Sequence, residues 1–214
     1  MPITEKAVLF DVDGTLVDSN YQHVTSWARA FVEVGHPVPA WRIHHSLGMD
    51  SSRLLEELLG DALDEVGDRA KELHSTYYKE ATRDLQPLPG ARELLAHLHE
   101  AGVRVVLATS APEDELAILR EVLGADDSVD AMTNADDVET AKPEPDILKI
   151  ALERAGVEAG DAVMIGDSRW DVVAAERSGI RAIGLLCGGI DREVLVEAGA
   201  TETYDDPAAL LASL

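Results

Sequence analysis

The chain has 214 residues, 46% of them hydrophobic, which suits one large domain or two unequal ones with ample length to bury a core. Its 41 acidic residues against 18 basic ones give a formal net charge of −23, spread along the whole chain, and such a field repels nucleic-acid phosphates. No apolar run approaches the roughly 20 residues that span a bilayer, and Met1–Lys6 lacks the basic and apolar stretches of a signal peptide, so a cytoplasmic protein with neither membrane nor nucleic-acid partner is expected.

The first element is a short apolar run, Ala7 to Phe10, with the near-continuous hydrophobicity of a strand buried on both faces of a parallel sheet. It ends at Asp11-Val12-Asp13-Gly14-Thr15-Leu16, where two carboxylates precede a glycine. Ligand crevices of parallel sheets lie at the strands' carboxyl ends. An ordinary polar turn is the competing reading. A calcium loop starting at Asp11 is excluded, because its sixth and twelfth positions are Leu16 and Gln22 rather than Gly and Glu.

Helical periodicity follows. Val24, Trp27, Ala28, Phe31 and Val32 recur at helical spacing before Gly35, and Ser51 and Ser52 can cap a segment carrying Leu54, Leu55, Leu58 and Leu59. A longer helical segment runs from about Ala62 to Asp84, and no strand is expected from Asp18 to Leu85, so this block reads as a helical insertion. Leu85-Gln86-Pro87-Leu88-Pro89-Gly90 is a linker stiffened by two prolines.

Alternation of helix and strand then resumes. A helix over Ala91 to Ala101 leads to the strand Val103 to Ala108, which ends in the hydroxyls of Thr109 and Ser110 ahead of Pro112 and a helix over Glu113 to Leu123. Free N–H groups at such a start suit a phosphate, although simple capping also explains the hydroxyls. A weaker strand, Val129 to Thr133, precedes the acidic stretch Asp136–Asp146, in which Lys142 is the single cation, followed by Pro143 and Pro145. A solvated surface lysine is the plain alternative there. The helix Ile147 to Ala155 and the strand Ala162 to Ile165 lead to Gly166-Asp167-Ser168-Arg169-Trp170-Asp171. A helix starting near Ser168 would point Asp171 back toward Asp167 at the strand tip, while an N-cap and a dipole-compensating acid would be the bland reading. The strand Arg181 to Leu186, the turn Gly188-Gly189, a helix to about Ala198, a strand over Thr201 to Tyr204 and a helix from Pro207 complete the chain. Cys187, the only cysteine, follows an apolar run and reads as a buried, inert thiol.

Three apolar strands thus end in an acid pair, a hydroxyl and a second acid pair, with a lysine between the second and third. Parallel strands bring such ends to one edge. The constellation suits phosphoryl transfer to an aspartate: the carboxylate attacks phosphorus, other carboxylates hold a hard cation such as Mg2+, and a hydroxyl and a lysine hold phosphate oxygens.

Asp11-Val12-Asp13-Gly14-Thr15-Leu16, Thr109, Lys142-Pro143 and Gly166-Asp167-Ser168-x-x-Asp171 resemble, in order and spacing, the four signature motifs of the haloacid dehalogenase superfamily. The resemblance covers essentially the whole chain. It implies an α/β fold, a Rossmann-like parallel-sheet core (1–16 and 86–214) with an inserted α-helical cap domain (17–85). It also implies a Mg2+-dependent phosphatase in which Asp11 is the nucleophile and Asp13 the general acid and then base. Asp11, the Asp13 carbonyl and Asp167 would ligate the metal with Asp171 in support, Thr109 would bind the phosphate, with Ser110 beside it a further candidate from its place at the strand end, and Lys142 would steady both Asp11 and the phosphate. Asp13 favours phosphate chemistry, since dehalogenase members lack that second acid.

Within the superfamily the chain is similar to phosphoglycolate phosphatases and β-phosphoglucomutases, which implies a small phosphorylated metabolite as substrate. His23 and Trp27 resemble a pair of the mutase cap and are candidate substrate contacts, with packing inside the cap as the alternative. Leu47-Gly48-Met49-Asp50-Ser51 lacks the mutase's basic residues, which places a mutase-type phosphotransferase second and a non-catalytic binding protein third. His44 and His45 read as solvated residues on a polar loop, and Arg53 as a helix-start residue or an anion contact. The oligomeric state is not encoded in any feature of the sequence.

Overall fold

Segments too short for helices, apolar in all but the last, form the strands of one parallel sheet: β1 (Ala7–Phe10), β2 (Arg104–Ala108), β3 (Ala131–Thr133), β4 (Ala162–Gly166), β5 (Arg181–Leu185) and β6 (Glu202–Tyr204). Their spatial order is β3-β2-β1-β4-β5-β6. The computed structural model describes residues 3–137 and 144–214. These divide into two compact units, one formed by the chain up to Asp18 with Gln86–Leu214, the other by Ser19–Leu85.

The sheet belongs to the larger unit and is covered on both faces. Ala7 and Leu9 of β1 pack with Val106, Met164, Ile147, Leu148 and Val172, while Val8 and Phe10, pointing the other way, are equally buried. Register places Phe10 level with Leu107 on one side and Ile165 on the other. The chain runs outward from β1 through β2 to β3, then returns to place β4 on the other flank of β1, so the strand order reverses between β1 and β4. In open sheets this reversal is where a crevice opens beyond the carboxyl ends.

The smaller unit is helical: α1 (Asn20–Glu33), α2 (Ala40–Ser46), α3 (Ser51–Leu59) and α4 (Leu63–Ala81). Val24, Trp27, Phe31, Ile43, Leu54, Leu55, Leu58, Leu59 and Ala70 form its core. α1 and α4 run antiparallel, because Trp27 stacks on His74 and, one turn back, His23 stacks on Tyr78, one turn further along α4. No helix among the described residues is long and apolar enough to cross a membrane.

Several local expectations are corrected. His44 and His45 lie in the last turn of α2, not on a loop. The helix bearing Leu54 is capped by Asp50, whose carboxylate accepts from the N–H groups of Ser52 and Arg53, rather than by Ser51 or Ser52. Val17 and Asp18 belong to the sheet unit. The Asp18 N–H donates to the Gln86 carbonyl and the Leu88 N–H to that of Leu16, so the two crossings of the chain are tied as a short antiparallel pair.

Candidate active site

Asp11 and Asp167 each follow a strand directly, on neighbouring strands at the reversal point, and the Asp11 N–H donates to the Ile165 carbonyl at 2.9 Å. Asp171 reaches the same place from the first turn of the helix Arg169–Arg177. Ser168, not Asp167, caps that helix. The Ser168 hydroxyl accepts from the Asp171 N–H, and Oδ2 of Asp171 accepts from the Ser168 N–H at 3.1 Å and from its hydroxyl at 2.6 Å. Capping therefore aims the Asp171 carboxylate back at the strand tip.

Asp11, Asp167 and Asp171 are 7%, 3% and 0% exposed, and each offers a carboxylate oxygen within 4.8 Å of the others. At an effective dielectric of about 20, two ionised groups at that spacing repel by roughly 3.5 kcal/mol. The all-oxygen donor set of this buried cluster suits a hard divalent cation. The thiol of Cys187 is not part of this cluster; burial, reinforced by the Asp167 charge, pushes it up to about 12. Two further residues shape this corner without being apparent from spacing. A Cβ at Gly166 would lie 2.5 Å from both Cβ and Cγ of Asp171, so glycine provides the room for that acid. The Thr15 hydroxyl donates to Oδ1 of Asp167 at 2.9 Å.

Asp13 is half-buried, and its side chain is outside the three-carboxylate cluster. Gly14 takes a positive φ of 73°, which turns the chain immediately after it. Thr109 follows β2 on the other flank of β1 and is buried. Its hydroxyl accepts from the Ala111 N–H at 3.0 Å, a local turn that leaves the next helix, Glu113–Leu123, without a side-chain cap. Ser110 is half-buried beside it. Lys142 lies outside the described residues.

His23 and Trp27 belong to the helical unit. Trp27 is 3% exposed and stacked on both Phe31 and His74, so packing accounts for its surroundings. His23 is half-buried, stacks on Tyr78 at 3.8 Å between centroids, and pairs its Nδ1 with Nε2 of His74 at 3.1 Å. Burial, then the nearby His23, holds His74 down to about 2, so the pair shares its hydrogen bond with His74 neutral. Sequence reading did not single out His74; its i, i+4 relation to Tyr78, matching that of His23 to Trp27, was the available signal. Arg53 and His45 are exposed, and His44 stands 5.3 Å from the exposed ring of Tyr21.

The family model described as haloacid dehalogenase-like hydrolase matches residues 5–179. A phosphoglycolate phosphatase of Rhodospirillum rubrum is 31% identical over 216 residues, covering 96% of this chain and 89% of its own length. A validoxylamine A 7'-phosphate phosphatase of Streptomyces hygroscopicus subsp. limoneus is 32% identical over 197 residues, covering 90% and 91%. The crystal structure of a hydrolase from Pseudomonas syringae matches with a TM-score of 0.93 at 36% identity, covering 98% of this chain and 97% of that one.

Proposed function

The chain belongs to the haloacid dehalogenase-like hydrolases, and on that premise we propose that it is a Mg2+-dependent phosphatase that hydrolyses a small phosphorylated metabolite through a phosphorylated Asp11. The observation that carries this reading is the buried cluster of Asp11, Asp167 and Asp171 at the β1/β4 reversal.

In this mechanism the Asp11 carboxylate attacks phosphorus, and the bond from phosphorus to the leaving oxygen breaks as Asp13 gives that oxygen its proton. Asp13, now a carboxylate, takes a proton from the water that attacks the aspartyl phosphate, which frees Asp11 and inorganic phosphate. Half-burial suits Asp13 to this exchange better than its buried neighbours. Asp11, the Asp13 carbonyl and Asp167 would hold Mg2+ with Asp171 in support; when bound, the ion neutralises the carboxylates and the phosphoryl oxygens. Thr109, Ser110 and Lys142 hold the remaining phosphate oxygens.

The substrate class is a phosphoglycolate or a sugar phosphate. The named relatives act, by their names, on two different phosphates, so kinship alone does not choose between these. Turnover of phosphoglycolate, sugar phosphates, nucleotides and an aryl phosphate, with and without Mg2+, by wild type and Asp11→Asn tests the reading. The expected result is Mg2+-dependent phosphate release that Asp11→Asn abolishes. Release that persists in Asp11→Asn contradicts the mechanism. Sugar-phosphate interconversion faster than release would favour a mutase, and no turnover of any compound a binding protein.

A further inference from the structure

Asp167 is held by residues far from its own strand. Thr15, fully buried in the turn after β1, donates its hydroxyl to Oδ1 at 2.9 Å. The other carboxylate oxygen faces the single turn Leu186–Gly188 that follows β5. A Cβ at Gly188 would stand 1.8 Å from Oδ2 of Asp167 and 2.4 Å from its Cγ. Gly188 is not among the glycines with positive φ, whereas Gly14 and Gly189 are. Glycine at 188 is therefore required for room and not for backbone conformation. The same turn is fastened to the loop after β1, because the Cys187 thiol donates to the Gly14 carbonyl at 3.3 Å.

We propose that Thr15 and Gly188 are positioning residues for a divalent cation: the first fixes Oδ1 of Asp167 by a hydrogen bond, the second admits Oδ2, and together they set the rotation of that carboxylate. The proposal rests on reading the three-carboxylate cluster as a Mg2+ site. A carboxylate rotates in a broad, two-fold torsional well, so its strand alone does not orient it. Mg2+ demands near-octahedral geometry, so a rotated ligand is felt as lost affinity. The turn after β5 thereby becomes part of the site's frame.

Calorimetric titration of the full chain with Mg2+ alone, together with the Mg2+-dependent shift in melting temperature, tests this on wild type, Thr15→Val, Thr15→Ser and Gly188→Ala. Residues that orient metal ligands typically change affinity by about 10–100-fold. Thr15→Val and Gly188→Ala are expected to weaken Mg2+ binding by that amount, and Thr15→Ser, which keeps the hydroxyl, to restore wild-type affinity. A merely structural role for Thr15 would lower the metal-free melting temperature and leave the affinity unchanged. If wild type binds Mg2+ and both Thr15→Val and Gly188→Ala bind it equally well, the positioning roles are refuted while the metal site stands. If wild type takes up no Mg2+, both readings fall. Should Gly188→Ala not fold, the Thr15 pair decides the matter.

Discussion

The sheet unit and the helical unit both bury polar side chains, but the sheet unit buries three carboxylates within 4.8 Å of one another while the helical unit buries His74 in a stack with Trp27, His23 and Tyr78. The carboxylates come together from two strand ends and a helix start, and ionised groups at that spacing repel, a cost that the proposed cation would offset. The imidazole is neutral, hydrogen-bonded and stacked, so its polarity is satisfied locally. In the proposed function buried polarity in the first unit serves chemistry, whereas in the second it is satisfied by hydrogen bonding and stacking.

The strongest way to break that contrast is to exchange function against stability. Asp11→Asn should lower phosphatase turnover by roughly 10⁴-fold or more, while the metal-free melting temperature stays level or rises, because one of three clustered charges is gone. Steady-state kinetics and calorimetry of the same preparation check both halves. Trp27→Ala should do the reverse kind of damage, costing about 3–5 kcal/mol of stability through the cavity left in the helical core. Urea unfolding measures that loss.

Acid sharpens the contrast further. His74 is held at about 2 in the folded chain and has an ordinary value of 6.5 when unfolded. Below 6.5 the unfolded chain takes up a proton that the folded one refuses, so this contribution to stability is intact above pH 6.5 and falls as pH drops, by about 1.4 kcal/mol per pH unit. His74→Phe should flatten the stability difference between pH 6.5 and 5 relative to wild type, and denaturant titrations at both pH values test it. The smallest expected effect is a null reactivity: with its thiol pushed up to about 12, Cys187 should resist alkylation at pH 8 in the folded protein and react readily once unfolded.

How much of this was legible depended on the range over which each feature is specified. β1, β2 and β4 announced themselves as apolar runs, Asp11 and Asp167 followed from their places at strand tips, and Asp171 from its place in the first turn of the next helix. α2 gave no usable period, since only Ile43 and Ser46 of its seven residues are buried. Asp50 outcompetes the two serines for its cap because its carboxylate reaches two N–H groups at once. The roles of Gly188 and Thr15 were hidden because they arise where two loops meet around one carboxylate. His74 was hidden for a similar reason, its partner His23 being 51 residues away. Helical faces are written in local spacing, whereas the room around a buried acid is written in tertiary contact.

In the proposed mechanism Asp11 carries the phosphoryl group. Acid quenching of the wild-type enzyme during turnover with Mg2+, followed by peptide mass analysis, measures this directly. A phosphoryl group on the peptide containing Asp11, lost on addition of neutral hydroxylamine and missing from Asp11→Asn, is the predicted result. Steady phosphate release with no phosphorylated peptide, or with the group on another residue, would contradict it.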